Sequence, residues 1–357
     1  LNRDQMKLDA PDSRALVGLY SEYVPHLSMD LHTTHGTRHG YHLTYAPPLP
    51  PSTPVEIDSF MRASWLPSVT RTVKAATGWD MYYYGGARQA RGEREGGWYT
   101  FSHQPRYVSN YIGLRNRFGI LGEAYSYASF EERIAISYWL TRESIEFAYN
   151  HASEIQSRTA QADARSLIGD SLGVRAIPKR SEQPVTILMG ETTEEENPIS
   201  GQRMLLRTDV QIPAEMYEFG TFQPSEWEAV PAAYFVPPEL TEVIELIKAH
   251  GLTTLTVQQM PQGLQTQAFQ VDSIQTSERD YQGHNAQEVW GDYQPPRPAD
   301  LAPGTIMVPM DQPLARVAFH LLEPRSDDGL VAWGLLNETL REGEPYPILR
   351  ALSGALG

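Results

Sequence analysis

The spacing of apolar residues in the first half of the chain predicts helices separated by short strands. Apolar side chains recur at helical spacing in residues 12–23, a helix that Pro25 ends. Residues 27–31 alternate instead, which predicts a strand that finishes at His32. Residues 119–123 are a short apolar run that ends in an acid and predict a buried strand. Further helices are predicted over residues 56–77, 130–150 and 153–169.

The pattern changes near residue 173, where short strand-like runs begin to alternate with turns rich in Pro and Gly. We therefore predict two domains: an α/β domain over residues 1–172 and a β-rich domain with a few helices over residues 173–357. Helices within the second part are predicted from residue 240 to Gly251 and near residues 313–322 and 329–341.

Composition narrows the classes of function. The chain has 357 residues with 41% hydrophobic residues, which suffices for two domains with cores. A net charge of −15 repels phosphates and anionic lipid headgroups, so neither nucleic acid nor a membrane is a predicted partner. No cysteine is present, which excludes disulfides, thiolate metal sites and cysteine catalysis. Any metal would have to bind mainly to His, Asp or Glu.

Several histidines follow the strand predicted at residues 27–31. His32 stands at the strand end, where a neutral imidazole is a good zinc ligand. The alternative is a hydrogen-bonded histidine in a polar loop. Nearby glycines favour a loop after His32, so we interpret His35, His39 and His42 as pocket-lining or surface residues.

Glu123 closes the apolar run of the second predicted strand. Apolar surroundings raise the pKa of a carboxyl group, which suits a general base. The alternative is a salt bridge between Glu123 and Arg115 or Arg117. Those two arginines could instead face a substrate carboxylate.

Polar and aromatic residues offer further contacts to a substrate. Arg3, beside Asn2, has a guanidinium that can grip a carboxylate through two parallel hydrogen bonds; the alternative is a frayed terminus. The aromatic and Gly-rich residues 79–110 suit loops that wall a pocket. Tyr111 follows them, and its phenol could bind substrate or simply form part of the wall.

In their order along residues 1 to about 150, these features resemble the zinc carboxypeptidase family, the carboxypeptidase A-like metallopeptidases. That family carries His-x-x-Glu, then Asn-Arg, then a strand-end His, then a catalytic Glu. The chain matches with Leu1-Asn2-Arg3-Asp4, with Asp30-Leu31-His32, and with Gly119-Ile120-Leu121-Gly122-Glu123. Residues 312–316 and 321–324 are similar to an extension found on some bacterial secreted members.

The resemblance implies a zinc-dependent metallopeptidase with a mixed-sheet α/β fold and a secreted or periplasmic location. It implies that His32 is the third zinc ligand and that Glu123 is the general base. Arg3 with Asn2 would bind the free C-terminal carboxylate of a peptide, and Tyr111 matches a substrate-binding tyrosine loosely.

One part of the family pattern is absent from this sequence: no His-x-x-Glu precedes Asn2. The same spacing occurs at His151 and Glu154 and at His320 and Glu323, in the wrong order for the family and in predicted helices. We therefore expect an N-terminal companion polypeptide, or a further part of a longer chain, to supply the pair. The alternative is a catalytically inactive relative that serves as a binding or assembly module.

Overall fold

The computed structural model describes residues 1–34, 36–259 and 262–352. The helices are α1 Pro11–Tyr23, α2 Val55–Phe60, which continues through a π-helical turn Met61–Trp65 into α3 Leu66–Thr77, α4 Val108–Leu114, α5 Phe130–Asn150, α6 Ala152–Ala164, α7 Thr241–Ala249 and α8 Ala315–Leu322. The strands are β1 Leu27–Thr33, β2 Leu43–Ala46, β3 Met81–Tyr83, β4 Gly86–Arg88, β5 Gly97–Tyr99, β6 Phe118–Ala124, β7 Ser171–Lys179, β8 Val185–Glu196, β9 Arg203–Met216, β10 Glu218–Phe219, β11 Thr221–Ala229, β12 Ala233–Val236, β13 Leu255–Thr256, β14 Gln265–Thr266, β15 Phe269–Tyr281, β16 His284–Tyr293, β17 Arg297–Pro298, β18 Ile306–Pro309 and β19 Leu349–Ala351.

A four-stranded mixed sheet in the order β1-β6-β2-β3 supports the N-terminal part. Strand β6 pairs in parallel with β1 and antiparallel with β2. Every residue of β6 is buried, as expected for a central strand covered on both faces. A Cβ atom on Gly122 would lie 2.6 Å from Leu140 of α5, so the glycine allows that helix to pack closely on the sheet.

Most helices and strands predicted in the first half are confirmed within a few residues. α1 ends at Tyr23, and the next residue, Val24, adopts a left-handed conformation with φ of 46° just before Pro25. α5 begins at a capping box, in which the Ser129 side chain accepts from the Glu132 amide and Glu132 accepts from the Ser129 amide. Local sequence signals therefore set these boundaries.

The prediction of a helix over residues 329–341 is wrong, because that segment folds as consecutive turns. Gly334 has φ of 65°, a left-handed conformation that interrupts a right-handed helix. Apolar spacing alone suggested a helix, but residues such as Leu330 and Trp333 are buried within the turns.

After residue 173 the strands form several small sheets. Long hairpins are built from β8 with β9 and from β15 with β16, while β7 pairs with β11. A separate four-stranded sheet has the order β13-β18-β12-β19. No helix in the described ranges is both long and apolar enough to cross a bilayer.

The largest hydrophobic core crosses the predicted domain boundary. It joins Met6 and Leu8, near the start of the chain, with residues of α1 and α4 and with many residues between 230 and 348. A second core lies around the mixed sheet and the inner face of α5. Because the first core is shared, the C-terminal part supports the segment that carries Asn2 and Arg3.

A buried histidine links these two parts of the chain. His250 follows α7; its Nε2 lies 3.0 Å from the Met6 carbonyl oxygen and its Nδ1 lies 2.8 Å from the Tyr111 hydroxyl. The carbonyl can only accept, so Nε2–H donates and Nδ1 accepts from the tyrosine. Burial, with a smaller effect of the positive charges of Arg115 and Arg14, lowers the pKa of His250 to about 4.

We expect His250 to make folding sensitive to acid. Its ordinary pKa is 6.5, so the unfolded chain takes up a proton at a pH where the folded chain does not. The stability contribution of the neutral ring is complete above pH 6.5 and is lost as pH falls towards 4. Between about pH 7 and 4.5 the wild type should lose about 2–3 kcal/mol more free energy of unfolding than His250→Gln. Urea denaturation of both proteins at each pH measures this difference, and equal losses would contradict it.

Candidate active site

One cavity of about 240 Å³ brings together four of the residues singled out in the sequence. Asn2 and Arg3 line it, and so do His32 and Glu123. The rest of its wall is formed by Asp30, Thr33, Tyr84, Phe101, Tyr107, Ser109 and Leu121. Residues separated by up to 121 positions along the sequence therefore meet at one site.

The pairing of β1 with β6 places His32 beside Glu123. The two residues are direct partners in the parallel register, and each lies one position before the end of its strand. Aligned residues on neighbouring parallel strands point to the same face of the sheet. An imidazole and a carboxyl group therefore project together at the carboxyl edge of the strands, where α/β proteins commonly bind ligands.

Asp30 orients the His32 ring. Residues two apart on a strand share a face, and Nε2 of His32 lies 2.8 Å from Oδ1 of Asp30. This hydrogen bond raises the pKa of His32, burial opposes the rise, and the negative charges of Asp30 and Glu123 add to it. Because an ionised carboxylate only accepts, Nε2 carries the proton.

Glu123 is a buried acid with spare hydrogen-bonding capacity. Its side chain is almost inaccessible, and Oε2 has no hydrogen-bond partner in the described ranges. Burial raises its pKa to about 7, the positive charge of His32 opposes this, and Asp30 adds to it. A carboxyl group with a pKa near neutrality can both accept and release a proton during a reaction.

The predicted alternative partners of Glu123 lie elsewhere. Arg117 contacts both oxygens of Asp163, at 2.9 and 2.8 Å. Arg115 donates to the Tyr111 hydroxyl, to the His250 carbonyl and to Ser21. Neither arginine lines the cavity that holds Glu123. Both instead form hydrogen bonds within the protein, away from that cavity.

Arg3 lies in a segment that hydrogen bonds and an ion pair hold in place. Asp4 accepts from the amides of Asp9 and Ala10 and pairs with the buried Lys7 at 2.6 Å. The guanidinium of Arg3 lies 5.5 Å from the centroid of the Tyr107 ring, which is a cation–π distance. The start of the sequence is thus folded against the protein rather than frayed.

Tyr111, singled out in the sequence for substrate contact, does not reach the cavity. It is fully buried, and its hydroxyl is held by His250 and Arg115. The tyrosines that line the cavity are Tyr84 and Tyr107. The aromatic composition of residues 79–110 was the signal for them, but it could not show which tyrosines face inwards.

His39 and His42 are buried, so neither is a surface residue, and neither lines the cavity that holds Glu123. His42 accepts a hydrogen bond of 2.7 Å from Arg207 and stacks on a tryptophan, and burial lowers its pKa to about 4. His35 lies outside the described residues.

The two later His-x-x-Glu pairs serve other contacts. His151 bonds to a backbone carbonyl, and Glu154 pairs with an arginine. His320 lies 2.7 Å from a serine hydroxyl, while Glu323 accepts from two tyrosines in the interior. Across residues 1–34, 36–259 and 262–352, no group of three or more His, Asp or Glu side chains is arranged to hold a metal ion.

Part of the chain is similar to a curated protein, "Carboxypeptidase 2" of Trichophyton rubrum, at 27% identity over 150 residues. The match covers 41% of this chain and 27% of the length of that relative. No protein-family profile matches the chain, and no solved structure matches it. The similarity supports a carboxypeptidase-like relationship, which agrees with the resemblance noted in the sequence.

We expect Asp4→Ala to loosen the segment that carries Arg3. The substitution removes a buried ion-pair partner of Lys7 and two backbone hydrogen bonds, which should cost about 3 kcal/mol of stability. Thermal denaturation measures the loss, with Glu22→Ala as a control because Glu22 is exposed. If both variants melt at the wild-type temperature, Asp4 does not anchor the segment.

Proposed function

We propose that the chain contributes to a zinc-dependent, carboxypeptidase-like hydrolase that cleaves a peptide or peptide-like amide bond. A single observation carries this proposal. One cavity holds a guanidinium able to bind a terminal carboxylate and, beside it, a histidine next to a buried carboxyl group. The name of the Trichophyton rubrum relative is consistent with this function.

The site fits part of a zinc centre. With Nε2–H donated to Asp30, the His32 ring would offer the lone pair of Nδ1 once the proton on Nδ1 is released. A carboxylate bonded to the second ring nitrogen is the usual support of a metal-binding histidine. A catalytic zinc ion needs about three protein ligands, and the described part of the chain holds no such group. We propose that the other two come from a His-x-x-Glu segment outside this sequence.

The open edge of the mixed sheet supports the proposal of such a segment. β1 pairs with β6 on one side, and its other side meets no strand within the described ranges. Leu31, on this edge strand, is about half exposed. An uncovered strand edge is a template for pairing with a further strand. A segment added there would lie next to His32.

In the proposed reaction the residues of this chain have separate roles. When bound, zinc would polarise the scissile carbonyl and lower the pKa of water towards about 7. Glu123 accepts the proton of the attacking water and passes it to the leaving amine. Arg3, with Asn2, binds the substrate carboxylate, and the aromatic walls keep bulk water away from the cleaved bond.

A binding or assembly module is the second candidate. The observation in its favour is that the described residues supply one candidate histidine ligand, which is too few for zinc. Denaturing mass analysis of the native preparation, together with its zinc content, separates the two. A companion polypeptide, or a segment ahead of Asn2, that contains His-x-x-Glu favours the hydrolase when zinc is also bound. A single zinc-free chain with no such segment ahead of Asn2 favours the module.

We expect Glu123→Gln to abolish hydrolysis while zinc content is retained. The amide keeps the shape of the side chain but cannot accept a proton, so turnover should fall by about 10²- to 10⁴-fold. Glu146→Gln is a matched control because Glu146 is exposed on α5, away from the cavity. Peptide hydrolysis and metal content are measured on the native assembly. Turnover near the wild-type rate would exclude Glu123 as the base.

We expect Arg3→Ala to weaken recognition of the substrate carboxylate. Loss of a charge-assisted pair of hydrogen bonds should raise KM by about 10- to 100-fold for a peptide with a free C-terminus. The wild type should also cleave a C-terminally amidated peptide poorly, and the variant should discriminate less between the two. Arg14→Ala, an exposed arginine outside the cavity, is the control. If the wild type cleaves the peptide with a free C-terminus and the amidated peptide equally well, Arg3 does not recognise the substrate carboxylate.

A further inference from the structure

Helix α5 is apolar on the face that points away from the protein. Its inner face packs on the mixed sheet through residues such as Ile136, Leu140 and Phe147, all buried. Five large apolar side chains on the same helix are more than half exposed: Phe130, Ile134, Tyr138, Ile145 and Tyr149. A helix that meets water on its outer face normally carries polar residues there.

The five exposed residues lie along one side of α5, in a stripe that is interrupted between Tyr138 and Ile145. They are separated by four, four, seven and four positions, which places them along one side of a helix with 3.6 residues per turn. With 100° per residue, the stripe lies opposite Ile136, Leu140 and Phe147. At about 200 Å² for a large side chain, the exposed area is on the order of 600 Å². This is at the upper limit of patches on monomeric proteins.

Four of the five stripe residues are related symmetrically about the middle of the helix, while the counterpart of the fifth, Tyr138, is Thr141. About the midpoint between Trp139 and Leu140, Phe130 is the counterpart of Tyr149, and Ile134 is the counterpart of Ile145. A twofold interface requires a surface that matches itself in reverse, because the same patch is used by both subunits. An antiparallel pair of α5 helices would place isoleucine against isoleucine and aromatic ring against aromatic ring.

We propose that the α5 stripe is the interface with a second copy of this chain. Two stripes crossing at the midpoint bring Ile134 of one copy against Ile145 of the other. The area of the stripe approaches the roughly 800 Å² per partner of a standard interface. The net charge of −15 on each chain opposes association, so the dimer should tighten as salt screens that repulsion.

Opposite charges introduced at Ile134 and Ile145 test whether these two residues face each other across the dimer interface. Ile134→Lys and Ile145→Glu each bury a charge against an isoleucine of the partner copy, so each single variant should weaken dimerisation by at least about tenfold. The double variant should regain the dimer. In the antiparallel pair, the lysine at position 134 of each copy would face the glutamate at position 145 of the other copy. Sedimentation of the native protein and the variants over a range of concentrations measures these affinities.

Ile199→Lys is the matched control, because Ile199 is almost fully exposed in the turn between β8 and β9 and lies outside the stripe. It should leave the dimer unchanged. Circular dichroism and melting temperature establish that all variants are folded. The proposal is overturned if the native protein sediments with the mass of one protomer at about 50 μM. It is also overturned if the control dissociates the dimer, or if the double variant stays as weak as the single ones.

Discussion

The parallel pairing of β1 with β6 is the interaction on which the candidate site depends. Its register sets His32 directly beside Glu123, and a shift by one residue would turn one of the two side chains to the opposite face of the sheet. The register is held from both faces, because Gly119 and Gly122 let α4 and α5 approach the strand closely. The placement of His32 beside Glu123 thus depends on backbone pairing and on two glycines that have no side chain.

The charged groups of the site are held at some cost in stability. Glu123 is buried, and its Oε2 has no hydrogen-bond partner among the described residues, while the Asp30 carboxylate accepts from His32. Burying an acid in this way destabilises a protein, and such arrangements are concentrated at functional sites. The ion pair of Asp4 with Lys7 anchors the segment that carries Arg3, and Met6 and Leu8 of that segment belong to the core shared with the C-terminal part.

Helix α5 connects the two proposals about this molecule. Its inner face covers β6, the strand that carries Glu123, while its outer face bears the apolar stripe from Phe130 to Tyr149. A second copy on the outer face would leave the cavity accessible to a substrate, since no residue of the stripe lines it. The open edge of β1 is a separate surface. The proposed dimer and the proposed completion of a metal site would therefore use different parts of the protein.

The sequence by itself determined the local elements and the residues at their ends. Apolar periodicity and capping signals predicted α1, α5, β1 and β6, because neighbouring residues decide helix and strand formation. The resemblance to the zinc carboxypeptidase family implied a shared site for Asn2, Arg3, His32 and Glu123, and these four residues line one cavity.

Only the tertiary structure decided which side chains face that cavity. Tyr111 and Tyr107 are separated by one helical turn, yet the first is held in the core by His250 and the second borders the site. The burial of His42 beneath Arg207 depends likewise on a hairpin more than 140 residues further along the chain. Long-range packing sets the direction of each side chain, and local sequence carries no record of those contacts.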